Sequence, residues 1–370
     1  MRDESRRATE VRGALLIYGA TGYMGGLTVR AAVRHRLRPI VAARSDRRLL
    51  PIAREFDLEA RIAPLSDPAA LDQALRGVAV LLNAAGPFSQ TSSPLVEACL
   101  RCGVHYLDLA GEVAVFEGIR ARGAQARQRG TMLLPGVGFD VVPSDCLAAY
   151  VTARLPGART LRLAISGLEL MSRGSARTLA EQVGRPPLVR RRGRLVPIAA
   201  GSLEHTFDYG AGDAPSVAVS WGDLASAFTT TAIPNIETYF EATPMVRAAV
   251  AASRFAGPLL SSTPAQAMLQ ALTAALPDGP DDEERQTHAA VIVAEAEDSA
   301  GSTMRARLRT PEAYTLSADT SVAAAADVLA GNFEAGYQTP AGLYGADYIL
   351  QFPGVVREEL SPAAAVGSAQ

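Results

Sequence analysis

Through the first part of the chain, short apolar runs alternate with stretches of helical period. The runs are Ala14–Tyr18, Pro39–Ala43, Arg61–Leu65, Val78–Asn83, Val104–Leu109 and Met132–Leu134. Most show no 3.6-residue period, and runs of this length bounded by turn residues are strands buried on both faces. Between them, residues 26–36, 68–76, 91–102 and 113–129 place apolar positions at helical spacing. Six strands alternating with helices predict an α/β fold, a Rossmann-like doubly wound parallel sheet. A helix over Cys146–Arg154 leads out of it. The rhythm then changes. Thr160–Gly167, Val217–Trp221, Ala232–Tyr239, His288–Glu297 and Ser302–Arg309 alternate or are rich in β-branched residues, whereas 174–184 and 312–330 read as helices. This predicts an α+β second domain with a mixed or antiparallel sheet. The expected division is a dinucleotide-binding domain over 1–150, on which 336–360 packs back, and a substrate domain over 151–335.

The first strand runs directly into Gly19-Ala20-Thr21-Gly22-Tyr23-Met24-Gly25, a G-x-x-G-x-x-G turn that opens a helix. Glycines serve where the chain turns sharply and where backbone approaches a pyrophosphate, and the helix N-terminus offers free N–H groups to its oxygens. Gly19, Thr21, Gly22, Tyr23, Met24 and Gly25 are therefore expected to bind a dinucleotide; the plain alternative is a tight turn. NAD-preferring sites carry an Asp or Glu after the second strand to bond the ribose 2′-OH. Here Arg44-Ser45 stands there, with Arg47 and Arg48 behind. A guanidinium and a hydroxyl hold a 2′-phosphate that a carboxylate would repel, so Arg44 and Ser45 favour NADP over NAD. Asn83-Ala84-Ala85-Gly86-Pro87 ends the fourth strand with small residues, where the nicotinamide ribose is expected to lie. Asp67 precedes a helix and is expected to cap it.

Composition narrows the chemistry. All 36 basic residues are arginine, so no lysine is present to form a Schiff base or to lower a tyrosine pKa in a Tyr-x-x-x-Lys couple. A formal net charge of −2 argues against nucleic-acid partners. The three cysteines, Cys99, Cys102 and Cys146, suit a reducing, cytoplasmic setting. The Cys99-x-x-Cys102 pair reads as helix packing, and no metal site is expected. Met1–Arg12 lacks the apolar core of a signal peptide, and no apolar run is long enough to span a membrane. Residues from Ser361 onward read as a disordered tail.

Several segments resemble the saccharopine dehydrogenase-like oxidoreductases, including the branch called trans-acting enoyl reductases. They are Gly19–Gly25, Asn83–Phe88, His105–Glu112, Gly136–Asp145, Trp221–Asp223, Ile233–Glu237 and Gly279–Arg285. The resemblance implies an NADP-dependent reductase fold and leaves the substrate open. Hydride transfer also requires a proton for the atom that gains electron density. Candidate donors are His105, Tyr106, Asp108, Glu112, Asp140 and Tyr23. Asp108 and Asp140 are favoured as catalytic, because each follows a predicted strand on its carboxyl side. The plain alternative for Asp108 is an orienting role through loop amides. Asp145 is expected to cap a helix and His105 to pack. The expected substrate is a small molecule or acyl thioester carrying a C=C bond. Alternatives are the C=N bond of an amino-acid-derived imine, for which Arg173, Arg177, Arg185 and Arg190 could converge, and a non-catalytic NADP(H)-binding regulator. Arg185–Arg194 reads as a solvated hairpin. The apolar 245–276 segment suits a greasy pocket wall or a peripheral membrane contact. A homodimer is a further expectation.

Overall fold

The computed structural model describes residues 13–361. The readings of Met1–Arg12 and of the tail beyond Ser361 lie outside them.

The chain packs as two compact units. One runs to Asp140 and takes up Tyr314–Leu343; the other holds Val141–Ala313 and resumes at Tyr344. Division by packing thus differs from division by chain order. Most of the helix Ala313–Leu329 belongs to the first unit and the helix Val142–Arg154 to the second.

The first unit contains β1 (Ala14–Tyr18), β2 (Ile40–Ala43), β3 (Ala60–Ile62), β4 (Val78–Asn83), β5 (His105–Asp108) and β6 (Met132–Leu134). The second contributes β7 (Ala158–Ser166), β8 (Leu188–Arg191), β9 (Arg194–Pro197), β10 (Glu204–Asp208), β11 (Asp213–Val219), β12 (Asn235–Glu241), β13 (Ala289–Asp298) and β14 (Thr303–Pro311). β15 (Gly336–Tyr337) returns to the first sheet and β16 (Val356–Leu360) to the second.

The first sheet has the order β15-β6-β5-β4-β1-β2-β3, parallel throughout. The order reverses between β1 and β4, the switch point at whose carboxyl edge open α/β sheets bind ligands. Ile17 and Leu82 at its centre are wholly excluded from solvent, as strands covered by helices on both faces require. Asp67 accepts from the amides of Ala69 and Ala70 and so caps the helix Pro68–Ala74.

The second sheet is mixed. Its path is β10-β11-β12-β7-β13-β14-β16, with β12 and β7 parallel and the other neighbours antiparallel. The arginine-rich segment forms the β8–β9 hairpin, which pairs with β12. Strands β10 and β16 were not evident from sequence pattern. Glu237, Arg162, Glu295 and Arg305 face one another in register across β12, β7, β13 and β14, so opposite charges alternate along one row.

Candidate active site

The turn after β1 divides its glycines by task. Gly19 has φ +87°, and a Cβ there would meet Ala85 at 2.7 Å. At Gly25 a Cβ would lie 2.0 Å from the Gly19 carbonyl oxygen, so only glycine lets this helix start pack on the turn. Gly22 is different. It is exposed, and an added Cβ would meet nothing nearer than 3.4 Å. Its bareness serves no contact within the turn. It is the N-cap of the helix Tyr23–Arg34 yet supplies no side chain to the free amides, and the first turn holds no acid. An uncapped helix start with an open approach fits a dinucleotide pyrophosphate. Thr21, Tyr23 and Met24 are part-exposed around it, and Tyr23 packs edge-on against Tyr314 at 5.2 Å.

Arg44 and Ser45 follow β2 and are exposed, as are Arg47 and Arg48. Ser45 is the N-cap of the helix Asp46–Phe56, and its hydroxyl makes no cap hydrogen bond to it. A cation and a hydroxyl thus stand together directly after the strand, with Asp46 opening the helix behind them, and Arg44 and Ser45 form a donor pair that fits a 2′-phosphate.

Tyr18, Asn83 and Asp108 sit in register at the ends of β1, β4 and β5. Asn83 is wholly buried. Its Nδ2 donates to Thr91 Oγ1 (3.0 Å) and to the Tyr106 hydroxyl (3.2 Å), while its Oδ1 accepts from the Ala85 amide (3.0 Å). The Asn83 side chain therefore shapes the turn Ala84-Ala85-Gly86-Pro87, whose last peptide bond is cis.

The Tyr106 hydroxyl donates to Asp108 Oδ2 (2.9 Å). Asp108 Oδ1 accepts from the amides of Ala110 (3.0 Å) and Gly136 (2.9 Å). A continuous buried chain thus ties the loops after β4, β5 and β6 together. Asp108 has no solvent exposure. Burial lifts its carboxyl to about 6 against the pull of those three donors.

Glu112 and Asp140 stand beside this chain. Glu112 is buried; its Oε1 accepts from the Phe88 amide (3.3 Å) and its Oε2 from the Gly111 amide (3.1 Å). Burial raises it to about 7. Asp140 packs on Gly111, where a Cβ would lie 2.6 Å from its Oδ2. Burial, then the neighbouring Glu112 charge, raises Asp140 to about 7 as well. Two carboxyls near one another in a poorly solvated place resist losing both protons. In the sequence Glu112 is one candidate proton donor among six, with nothing local to single it out. Its neighbourhood with Asp140 depends on how the loops after β5 and β6 meet, which no local pattern encodes.

These groups bind protons more tightly in the folded than in the unfolded chain. Their stabilising contribution is complete at acid pH and is lost as pH rises from about 4 to about 7. Glu112→Gln is expected to flatten that decline by roughly 2–3 kcal/mol. The check is urea denaturation of both proteins on either side of this interval; parallel pH slopes would contradict the raised Glu112 proton affinity.

Other sequence candidates have structural partners. His105 is buried with Nδ1 accepting from the Met132 amide (3.0 Å) and its ring against Phe333; burial lowers it to about 4, so it is neutral. Asp145 is not a cap. The N-cap is Val141, and Asp145 lies in the helix's first turn, buried, accepting from Thr230 (2.8 Å). Nor do the four arginines converge as free cations. Arg190 is buried, donates to the carbonyls of Leu224 and Gly193 and stacks on Phe228 at 4.1 Å, while Arg173 is bonded to the Leu276 carbonyl and paired with Asp278. Cys99 and Cys102 share the helix Phe88–Cys102, the first buried and the second exposed.

Residues 15–134 match the family model for the saccharopine dehydrogenase NADP binding domain. The trans-acting enoyl reductase of Mycobacterium ulcerans is 32% identical over 168 residues, covering 43% of this chain and 40% of that protein. The saccharopine dehydrogenase-like oxidoreductase of Homo sapiens is 26% identical over 174 residues, 41% of either chain. The matches therefore span about two fifths of these curated relatives. Apo saccharopine dehydrogenase (L-Glu forming) from Saccharomyces cerevisiae shares the fold, with a TM-score of 0.63 at 12% identity over 94% of this chain and all of that one.

Proposed function

We propose that this chain, whose residues 15–134 form an NADP-binding domain of the saccharopine dehydrogenase kind, is an NADPH-dependent reductase of an activated C=C bond. An enoyl group carried as a thioester is the acceptor class the reading favours. The observation that carries it is a carboxyl pair near neutrality on the same sheet edge as the open glycine turn. The relatives named trans-acting enoyl reductase, at 32–34% identity, add support, as does the apolar segment over 244–276.

In this reading Gly22 and the helix amides behind it hold the pyrophosphate, with Thr21, Tyr23 and Met24 around them. Arg44 and Ser45 hold the 2′-phosphate, and the backbone of Ala84–Pro87 flanks the nicotinamide ribose. NADPH, when bound, supplies a hydride to one carbon of the acceptor. Asp140 keeps a proton on its carboxyl up to about neutral pH because burial, and then the neighbouring Glu112 carboxyl, disfavour its charged form. It gives that proton to the acceptor's other atom and regains one from water. Asp108, wholly buried, positions the loop that carries Asp140 through the Gly136 amide.

The test begins with titration calorimetry of NADPH and NADH on the wild type and on Arg44→Ala. NADPH is expected to bind far more tightly than NADH. Arg44→Ala is expected to weaken NADPH roughly 10–100-fold, the worth of a charge-assisted bond, and to leave NADH unchanged. Oxidation of NADPH by enoyl thioesters then supports the reading. Turnover of cyclic imines alone assigns the alternative acceptor, and tight binding without turnover of any acceptor assigns a regulator.

A further inference from the structure

The second unit carries two helices whose exposed face is unusually apolar. Most of the large apolar side chains exposed among the described residues lie between Leu179 and Leu276. On the helix Pro244–Leu260, Phe255 is 83% exposed and Leu259 68%. Met268 and Leu272 on the helix Thr263–Thr273 are 58% and 61% exposed. Among the described side chains of these two helices only Gly257 and Thr273 are buried.

Polar bonds help to fasten them to the unit, beside half-buried apolar residues such as Val246, Val250 and Leu269. Gln266 Nε2 donates to the carbonyls of Val183 and Leu260, and Gln270 Nε2 to that of Arg177. Ser253 Oγ accepts from the Gly184 amide. A surface helix of a soluble domain shows water a polar face, whereas here the exposed face is apolar as well. Helices of this length gain little stability from propensity alone, so an apolar surface on this scale points to a covering phase.

Charge selects the phase. From Pro244 to Leu276 the sequence holds no carboxylate, and its charges are Arg247 and Arg254 alone, both exposed. Both line an open groove of about 180 Å³ beside Phe255, with Val217, Val250 and a single acid, Glu204. Apolar side chains flanked by two arginines against the one acid Glu204 match the boundary of an anionic bilayer. No helix among the described residues is long and apolar enough to cross a membrane, so the contact is superficial.

We infer that the helices Pro244–Leu260 and Thr263–Thr273 dock on an anionic lipid surface, with Phe255 and Leu259 in the acyl boundary and Arg247 and Arg254 at the headgroups. This inference is independent of the cofactor assignment. The test is co-flotation of the full chain with vesicles of phosphatidylcholine, with and without phosphatidylglycerol. Binding is expected with the anionic vesicles and to weaken as salt rises. Phe255→Ser with Leu259→Ser is expected to lower partitioning at least about ten-fold. Arg247→Gln and Arg254→Gln are each expected to lower it about five-fold. All four lie on the surface, so melting temperature and NADPH affinity stay as in the wild type. Absence of flotation at physiological ionic strength overturns the inference, as does flotation that these substitutions leave intact. Self-association abolished by Phe255→Ser without vesicle binding also overturns it and assigns the surface to a second copy of the chain.

Discussion

Gly25→Ala is expected to disrupt the fold of the first unit, whereas Gly22→Ala leaves the fold intact and removes NADPH binding. The two glycines are three residues apart in one turn, and the contrast follows from what surrounds each. A methyl carbon on Gly25 would lie 2.0 Å from the Gly19 carbonyl oxygen, 2.7 Å from its carbon and 2.8 Å from Ala20 Cα. All three are backbone atoms, so no side chain can rotate away, and the strand-to-helix turn itself must move. Overpacking a core side chain costs about 1–3 kcal/mol; displacing backbone at the sheet's centre costs more. Against a total stability of about 5–15 kcal/mol, a loss of roughly 4 kcal/mol lowers the melting temperature by about 10 °C or more. Gly22 has φ −83° and ψ 167°, open to any L-residue, and its nearest neighbour to an added Cβ is at 3.4 Å. The melting temperature of Gly22→Ala is therefore expected to stay within about 2 °C of the wild type. The added methyl occupies the space through which backbone approaches a pyrophosphate, and NADPH affinity is expected to fall at least about 100-fold. Thermal melts and calorimetry on the two variants separate the effects. NADPH binding to Gly22→Ala at wild-type affinity would place the pyrophosphate elsewhere.

The second large effect concerns the proton. Asp140→Asn is expected to lower kcat for the reductive direction by about 10²–10⁴-fold with the NADPH dissociation constant unchanged, because a positioned general acid contributes that much. The pH profile supplies the sign. An acid raised to about 7 is protonated below that value, so wild-type kcat falls as pH rises through it. Asparagine cannot titrate, so the residual activity of Asp140→Asn loses that limb. Glu112→Gln removes the neighbouring charge, and the limb is expected to move to lower pH as Asp140 loses the repulsion that raises it. A merely structural carboxyl at 140 would change the melting temperature and leave the shape of the profile intact. Asp108→Asn tests the positioning role. An amide in place of the carboxylate faces three donors with one acceptor oxygen, so the cost appears first in stability.

Much of the first unit was legible because its signals are local. Buried parallel strands are predominantly apolar, so β1, β2 and β4 stood out as short apolar runs. The glycine turn was legible because a steric demand on a few consecutive residues leaves a spacing behind it. Asp67 betrayed its cap by preceding a proline-led helix, and the arginine-rich stretch betrayed its hairpin through Arg192-Gly193. Where a side chain serves a distant partner, sequence pattern was silent. Asp145 looks like a cap from its place before an apolar helix, but a Thr230 hydroxyl reached through the second sheet's connections is its partner. Arg190 resembles a surface cation until Phe228 and two carbonyls enclose it.

By itself the sequence determined the strand–helix rhythm, the glycine-rich turn after β1, the basic end of β2 and the absence of lysine chemistry. Each is a property of residue identity over a few consecutive positions. Tertiary structure alone decided that Tyr314–Leu343 joins the first unit, that β10 and β16 flank the second sheet, and that burial and the nearby Glu112 raise the proton affinity of Asp140. Sheet order and proximity depend on loops that close over long stretches of chain, and a carboxyl's proton affinity depends on who is buried beside it. Neither quantity leaves a periodic trace in the sequence.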